Sequence, residues 1–344
     1  WYLRLMMGSY ERNDENFVDP LSQQQNEYSV QIGCPIEPDY RGIRMAFWWN
    51  TDNVFRSAVR NYKNKLQAIK EYPLDPETDK LPDYTRAEPV KINVPGSIYE
   101  PSNDKTICEK VVREISGLFR NNIEIEQSVA SLTAISATVY MVNTEGSEVR
   151  IPLNLSVLNL TLSVRDNEDE VLSENITYIA PVVSALPSMD TIKNDALQLC
   201  NYLLELKNTE KNREEYNGPI LLTKQAAAYS FLSALFEGDN KLFASREPLV
   251  YSMKKNLLQR DKQSIESKFE KRIISKDLTV SVHPHLEEYN GVKLIGNIIV
   301  DAEGVVPPDE IILIENGILK NLLSNRIPTP KVSKSNGHRS EEHT

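Results

Sequence analysis

Two histidines lie two residues apart in the C-terminal third of the sequence, as His283-Pro-His285. They directly follow a predicted strand, and the alternation of side chains along a strand places both imidazoles on one face. Together with Glu287 or Glu288 they could form a metal site of two imidazoles and a carboxylate. The alternative is an ordinary surface turn, and the turn is the interpretation that we favour.

Two carboxylates, Asp301 and Glu303, are also spaced two residues apart, shortly before a predicted hairpin. Paired carboxylates on one face can perform acid/base chemistry or bind a cation. They can equally shape a turn by accepting backbone N–H bonds. We favour the structural role because no nucleophile or base can be identified beside them.

A polar loop, Ser335-Asn336-Gly337-His338, follows the hairpin. Its glycine permits a close approach of the backbone. Asn336 and His338 are therefore candidates for contacting a peptide or shaping a cleft, and a flexible tail is the alternative. The sequence contains neither a glycine-rich phosphate loop nor a Gly-x-Ser-x-Gly elbow, which disfavours nucleotide binding and serine hydrolysis.

The composition describes an acidic protein of ordinary globular character. The 344 residues carry a formal net charge of −10, with 40% hydrophobic and 26% charged residues, and this length suggests two domains. The negative charge argues against binding nucleic acid by neutralising phosphates. No run of about 18 apolar residues occurs, so no membrane span is expected.

The three cysteines, Cys34, Cys108 and Cys200, are too far apart for a zinc ribbon or a disulfide framework. The chain begins with Trp1 inside a strand-like segment, and we expect a fragment or a processed form. No signal peptide is visible, although a missing N-terminus would hide one. A bacterial cytoplasmic location is favoured, and an exported form is the alternative.

Periodicity predicts an N-terminal α+β domain. A helix is expected over residues 50–72, with Phe55, Val59, Tyr62, Leu66 and Ile69 as its buried stripe. Trp48-Trp49 should anchor the core before it. Proline-rich residues 73–101 suit an extended surface linker. The remaining elements predicted here are a helix over 103–119, strands over 129–143, 149–155 and 157–165, and a third helix from Pro187 or Asp190.

The predicted fold class is α+β, with an N-terminal antiparallel or mixed sheet carrying helices and a strand-rich C-terminal domain. The predicted domains are residues 1–183, a linking helix and boundary over 184–216, and a C-terminal domain over 217–344 that is expected to be truncated. Asn316-Gly317 indicates a type I′ hairpin turn. Around it we expect a helix over 224–236 and strands over 218–222, 278–282, 293–300, 311–315 and 318–324.

One block of sequence resembles a known family. Asp301-Ala-Glu-Gly-Val305, then six residues, then Ile312-Leu-Ile-Glu-Asn-Gly-Ile-Leu-Lys320 is similar to the D-(D)-E-G-V … L-I-E-N-G-V-L-K signature of the TldD/PmbA superfamily. The opening, from Leu3 to Phe17, resembles a Bacteroidetes-type branch. Further segments resemble the family in the same order along the chain: Asn143-Thr-Glu-Gly146, Ala185-Leu-Pro187, Gly218-Pro-Ile-Leu-Leu222 with Gln225-Ala-Ala-Ala228, and Ser335-Asn-Gly-His338.

The resemblance implies a role in peptide degradation or maturation, in a family of which some members are described as modulators of DNA gyrase. TldD-type members hold a metal with a His-Glu-x-x-x-His helix and a later cysteine, and the glutamate acts as general base on a metal-bound water. PmbA/TldE-type members lack that helix motif and act as partners of TldD-type subunits. Such a pair could take an extended peptide as an additional strand.

This sequence departs from the metal-binding pattern. The matching segment, residues 226–236, contains no histidine, and His-Glu-x-x-x-His occurs nowhere in the chain. The expected function is therefore that of a PmbA/TldE-like, non-catalytic subunit, without a cofactor of its own and with zinc possible in the partner. The expected partners are a peptide and either a TldD-type subunit or further copies of the chain. The alternatives are a self-sufficient metallopeptidase using His283 and His285, or a degenerate paralogue.

Overall fold

The computed structural model describes residues 2–18, 29–31, 33, 35, 37, 39–71, 76–96, 101–210, 215–237, 241–246, 248–250 and 265–339. It has the mixed α+β character that the sequence predicts. The α-helices are α1 (Tyr40–Glu71), α2 (Pro76–Asp79), α3 (Lys105–Gly117), α4 (Met189–Lys207) and α5 (Lys224–Phe236). Short 3₁₀ helices cover Pro101–Asp104, Val183–Ala185 and Ile265–Lys268.

The strands differ greatly in length, from two residues to 18. In chain order they are β1 (Tyr2–Arg4), β2 (Phe17–Val18), β3 (Ser29–Gln31), β4 (Lys91–Asn93), β5 (Ile125–Val142), β6 (Glu148–Arg165), β7 (Val171–Ala180), β8 (Leu249–Val250), β9 (Val280–Val282), β10 (Glu288–Tyr289), β11 (Val292–Lys293), β12 (Ile311–Glu315) and β13 (Ile318–Leu319).

The chain forms two compact units. The discontinuous unit combines Trp1–Glu88 with Leu221–Thr344, and the sheet unit comprises Pro89–Ile220. This division differs from the contiguous domains expected over 1–183 and 217–344. The physical reason is that the N-terminal segment forms hydrogen bonds with residues near the C-terminus, such as the bond from Arg4 Nη1 to Glu303 Oε1.

The sheet unit is built around two strands of 18 residues each. β5 and β6 are antiparallel over their whole length, β7 pairs antiparallel with β6, and β4 pairs parallel with β6. The turn between β5 and β6 is fixed by Asn143, whose side-chain oxygen accepts from the Glu145 and Ser147 N–H groups at 3.1 and 2.9 Å. β6 is thus one strand where two were predicted, because Pro152 and Ser156 both remain in its ladder.

Helix α4 belongs to the core of the sheet unit and not to a linker. The Ser188 side chain caps it by accepting from Thr191 N–H at 3.2 Å. Spacings of three and four residues then bury one face against the sheet. The core that this face joins contains Ile115 of α3, Phe119 after α3, Leu158, Leu160, Leu162 and Val164 of β6, and Ile192, Ala196, Cys200 and Leu203 of α4.

The discontinuous unit contains a three-stranded sheet in the order β13-β12-β9. Asn316 and Gly317 have φ values of 48° and 79°, so the hairpin between β12 and β13 is confirmed, with the left-handed residues that a type I′ turn requires. The predicted helix over 224–236 is also confirmed. The buried side chains around this sheet include Leu242, Val280, Ile311, Leu313, Ile314, Leu319 and Leu322.

Helix α1 begins ten residues earlier than predicted, and it buries a different face. Its buried residues are Val54, Ala58, Asn61, Lys65 and Ala68, which are displaced by one position from the predicted stripe. The reason is that Lys65 is held by buried oxygen atoms. The predicted core anchors also fail, since Trp48 and Trp49 are 65% and 66% exposed.

Three further expectations need correction. Residues 73–101 include α2 and β4 and are therefore not only an extended linker. Within the described residues, 218–222 form no strand, and the strand predicted over 293–300 is reduced to the end of β11. Cys34 lies outside the described residues. Among the described helices, none combines the length and apolar character needed to cross a membrane.

Candidate functional site

Asp301 organises the turn in front of the β12–β13 hairpin. One carboxylate oxygen, Oδ1, accepts from the N–H groups of Glu303 and Val305 at 2.9 and 2.8 Å. The other, Oδ2, accepts from Arg339 N–H at 3.1 Å. Burial raises the pKa of Asp301 despite these three bonds. The side chain therefore serves the backbone of its own loop and of the 335–339 loop.

Glu303 is a buried carboxylate between two guanidinium groups. Its side chain is fully buried, and it accepts from Arg4 Nη1 at 3.0 Å and from Arg339 Nη1. Its second oxygen accepts from Arg326 N–H at 2.7 Å. Burial by itself would raise the pKa of Glu303, but the charges of Arg339 and Arg4 outweigh it, and the pKa is lowered. The carboxylate is thus ionised and balanced by two cations.

Two of the arginines that bond to Glu303, Arg4 and Arg326, also contact the ring of Tyr84. The Arg326 guanidinium lies 4.3 Å from the centroid of the buried Tyr84 ring, and that of Arg4 lies 5.3 Å from it. Arg326 Nε donates to Thr85 O at 2.8 Å, and Thr85 N–H donates back to Arg326 O at 2.8 Å. We call Arg4, Glu15, Tyr84, Glu303, Arg326 and Arg339 the Glu303 cluster.

A second buried carboxylate, Asp83, lies in the same unit. One of its oxygens accepts from Lys65 Nζ at 2.7 Å and from Asn13 N–H at 2.9 Å, and the other accepts from Arg246 Nη2 at 2.9 Å. Burial lowers the pKa of both Lys65 and Arg246, and the charge of Asp83 opposes that shift. We call Asn13, Lys65, Asp83 and Arg246 the Asp83 cluster.

Glu15 joins the two clusters. Its carboxylate Oε1 lies 2.7 Å from Arg4 Nη2, and its backbone carbonyl accepts from Lys65 Nζ. The neighbouring Asp14 is 1% exposed and accepts from Met7 N–H at 2.6 Å. Burial raises the pKa of Asp14 to about 7. The N-terminal segment thereby enters the core through three consecutive buried polar residues, Asn13, Asp14 and Glu15.

The 335–338 loop is tied back to the chain after β13. Asn336 Oδ1 accepts from Ser324 N–H, and Asn336 Nδ2 donates to Leu322 O, both at 2.8 Å. Gly337 has a φ of +75°, and an added Cβ would lie 2.7 Å from Pro307 N. The loop is therefore held in place at Asn336 by these hydrogen bonds and at Gly337 by its close approach to Pro307.

His338 is 8% exposed. Its Nδ1 lies 2.8 Å from Asn336 O, and because a carbonyl only accepts, Nδ1 must carry the proton. Burial lowers the pKa of His338, so the ring is neutral at pH 7, with Nε2 as a buried acceptor. Among the predicted cleft residues, Asp301, Glu303 and His338 are buried and Asn336 is partly buried.

His283 and His285 bind different carboxylates. His285 Nδ1 lies 2.9 Å from Asp309 Oδ1, whereas His283 Nε2 lies 2.9 Å from Ser281 Oγ and 3.6 Å from Glu310 Oε1. Within the part of the chain that the structure describes, no three histidine, cysteine or acidic side chains converge as a metal site. The predicted partners Glu287 and Glu288 form no described bond with either imidazole.

Comparison with known proteins identifies the region that contains both the hairpin and Glu303. Residues 239–343 match the family described as the PmbA/TldA metallopeptidase C-terminal domain. This part of the chain is therefore similar to a TldD/PmbA-superfamily domain. The resemblance predicted from the 301–320 block is thus confirmed at the level of the superfamily. No sequence among the curated proteins matches the chain.

Two solved structures share the fold of this chain. A proposed modulator of DNA gyrase from Bacteroides thetaiotaomicron has a TM-score of 0.52 at 15% identity, covering 87% of this chain and 62% of its own. Another from Thermotoga maritima has a TM-score of 0.52 at 14% identity, covering 84% of this chain and 58% of its own. The chain therefore spans about three-fifths of the length of these structures, and at this identity the likeness concerns the fold alone.

The helix that resembles the metal-binding helix of TldD-type members is α5. Its sequence, KQAAAYSFLSALF, contains no imidazole, thiolate or carboxylate that could bind a metal ion. A catalytic metal therefore does not fit α5. His283 is exposed and His285 is half-buried, and their imidazoles contact two different carboxylates.

Sequence reasoning identified Asp301 and Glu303 but missed the partners that hold them. Arg4 is 299 residues from Glu303 in the chain, so no local pattern could have paired them. Two weaker signals were present. Lys65 has the same helical spacing as Val54 and Ala58, and the structure buries all three. Residues 13–15 form a run of three polar residues, and the structure buries all of them as well.

Proposed function

We propose that the chain is a PmbA/TldE-type subunit that acts in peptide proteolysis or maturation without a metal site of its own. It works as the partner of a TldD-type subunit, which holds the catalytic metal in a His-Glu-x-x-x-His helix. The observation that carries the proposal is a TldD/PmbA domain over residues 239–343 whose α5 offers no metal ligand.

The geometry of the signature block supports a subunit without its own chemistry. All three N–H bonds to Asp301 and the bonds to Glu303 are made within the discontinuous unit. Both carboxylates are buried and each accepts three hydrogen bonds from protein groups, so neither is presented to a substrate as a base. The signature therefore shapes the domain, and catalysis belongs to the partner.

The experiment is co-purification with a TldD-type subunit from the same genome, followed by a cleavage assay with a mixture of quenched fluorescent peptides. We expect a stable complex that cleaves the peptides, while this chain alone does not. Replacing both histidines of the partner's metal helix should abolish cleavage without dissociating the complex. Failure to co-purify would favour a degenerate paralogue with no role in peptide cleavage.

The second candidate is a self-sufficient metallopeptidase, which the His285–Asp309 contact of 2.9 Å favours. An imidazole oriented by a carboxylate is a common arrangement at metal sites. The variant His283→Ala/His285→Ala separates the two proposals. We expect the complex with this variant to cleave peptides at the wild-type rate. Stoichiometric zinc in the purified wild-type chain, lost in the variant together with activity, would support the metallopeptidase instead.

A further inference from the structure

The long strand β5 is an edge of its sheet. Within the described residues it pairs only with β6. Its other side therefore presents a row of backbone N–H and C=O groups along Ile125–Val142, a length of 18 residues. Strands in globular proteins usually have about five or six residues, so this is an unusually long edge to leave without a partner.

The edge lacks the features that normally prevent strands of different chains from pairing. Proteins protect exposed edges with lysines, prolines, bulges or short strands. β5 contains one charged residue, Glu126, and no lysine, arginine, proline or glycine. Its irregularity lies at Ile125/Gln127, which leaves the following 16 residues regular. The opposite edge, β7, is shorter at ten residues and carries Glu174 in its middle.

The sheet face beside this edge exposes aliphatic side chains. Val129, Ile135 and Val139 of β5 alternate with residues that face the helices, and they are 45%, 46% and 48% exposed. On neighbouring strands, Leu153 is 49% exposed and Ile179 is 55% exposed. The ladder places both on the same face as Ile135, so the apolar surface reaches the edge.

We propose that β5 pairs antiparallel with β5 of a second copy of the chain, about a two-fold axis that passes near Ala134. In this register Val129 lies opposite Val139 of the other copy, and Thr133 lies opposite Ile135. Odd-numbered residues meet odd-numbered ones, so the exposed faces of the two sheets become continuous. Glu126 lies opposite Val142, and no like charges are opposed.

A second copy fits this edge better than a bound peptide does. A peptide strand would cover part of the 18 residues and expose a new edge of its own. Two β5 strands of equal length cover one another, because a two-fold interface uses the same surface on both copies and closes the assembly. Because β5 carries one charged residue, two copies of the strand can pair without opposing like charges. The same lack of charge gives β5 little with which to recognise a charged peptide.

The first test is the oligomeric state of the full chain, measured by sedimentation velocity between 1 and 100 µM (about the range in which moderate interfaces dissociate). We expect a dimer for the wild type. The variant Thr133→Lys/Ile135→Lys opposes lysines of the two copies twice, and we expect dimerisation weakened by at least about a hundredfold. The matched control, Asn175→Lys/Ile179→Lys, adds the same charge to the same face on β7, away from the β5 edge, and should remain dimeric.

The second test measures the register. In Val129→Cys/Val139→Cys the new thiols lie opposite each other across the two-fold axis, within reach of a disulfide. We expect covalent dimers on oxidation of the double variant, whereas either single variant should form the non-covalent dimer without this cross-link.

A monomeric wild type, or a dimer that tolerates both lysines, would overturn the proposal. A wild type that stays monomeric alone and associates only with a TldD-type subunit would also overturn it, while leaving the proposed function intact. Dimers in which the paired cysteines do not cross-link would overturn the register centred on Ala134.

Discussion

Replacing Glu303 by glutamine tests whether a buried charge holds the two ends of the discontinuous unit together. Glutamine keeps an oxygen for the Arg326 N–H bond of 2.7 Å, and it occupies nearly the same volume. It removes the negative charge that balances Arg4 and Arg339, whose side chains are 24% and 14% exposed. The substitution therefore changes charge with little change in packing.

The expected loss of stability follows from what remains around the two arginines. Leaving a buried charge without its partner typically costs about 3–5 kcal/mol. Arg4 retains Glu15 at 2.7 Å, and Arg339 can turn toward solvent, so the lower end of that range applies. We expect Glu303→Gln to reduce the free energy of unfolding by about 3 kcal/mol at pH 7.

The pH dependence provides an internal check. The pKa of Glu303 is lowered in the folded state, so its contribution to stability is present above the unfolded pKa of about 4.3 and is lost as pH falls through the folded pKa. The difference between wild type and variant should therefore narrow in acid. A gap that stays constant from pH 7 to pH 3 would show that charge is not its cause.

Urea unfolding, with hydrogen exchange to locate the effect, measures the change. Peptides covering residues 301–305 and 324–339 should lose protection, while β5 and β6 in the sheet unit should not. The control is Asp79→Asn, which removes the exposed pair with Arg12 and should cost less than about 1 kcal/mol. The reasoning is refuted if Glu303→Gln is no more destabilising than this control.

Three further substitutions test other parts of the structure. Asp14→Asn should stabilise the protein at pH 8 by up to about 4 kcal/mol. The pKa of Asp14 is about 7 in the folded state, so the wild type loses stability as pH rises toward and through 7. Urea unfolding at several pH values should show that the gain of the variant vanishes by about pH 4. Gly337→Ala should cost about 2–4 kcal/mol because its Cβ meets Pro307 N at 2.7 Å, whereas Gly291→Ala, with a similar φ of +80° and nothing within 4 Å, should cost about 1–2 kcal/mol; thermal melting compares the two. Leu203→Ala, fully buried beneath the sheet, should cost about 2–5 kcal/mol and reduce hydrogen-exchange protection in β6.

The parts of the fold that sequence predicts correctly are those that local chemistry determines. The β12–β13 hairpin depends on two adjacent residues, Asn316 and Gly317, which adopt the positive φ values that the turn needs. Helix α5 depends on a run of strong helix formers. In both cases the residues that decide the structure are neighbours in the sequence.

The parts that sequence predicts incorrectly depend on distant partners. The buried face of α1 was misplaced by one residue because hydrophobic periodicity treats Lys65 as a surface residue. Its ammonium group is buried only because Asp83 and the Glu15 carbonyl receive it. The contiguous domain boundaries differ from the observed units for the same reason, since the Arg4–Glu303 bond crosses 299 residues of chain.

The bonds of Glu303 also explain why a family signature can occur in a chain whose α5 has no metal ligand. The Asp301–Val305 turn is fixed by its own N–H groups, and Glu303 fixes the N-terminal segment through Arg4 and the 335–339 loop through Arg339. Removing one partner of a buried ion pair leaves an uncompensated charge, so these contacts tie the three segments to one another. A signature with these bonds is a requirement of the fold, so its presence is compatible with either a catalytic or a non-catalytic subunit. Under the proposed function, the element that distinguishes the two is the helix at the position of α5, and α5 contains no histidine, cysteine, aspartate or glutamate.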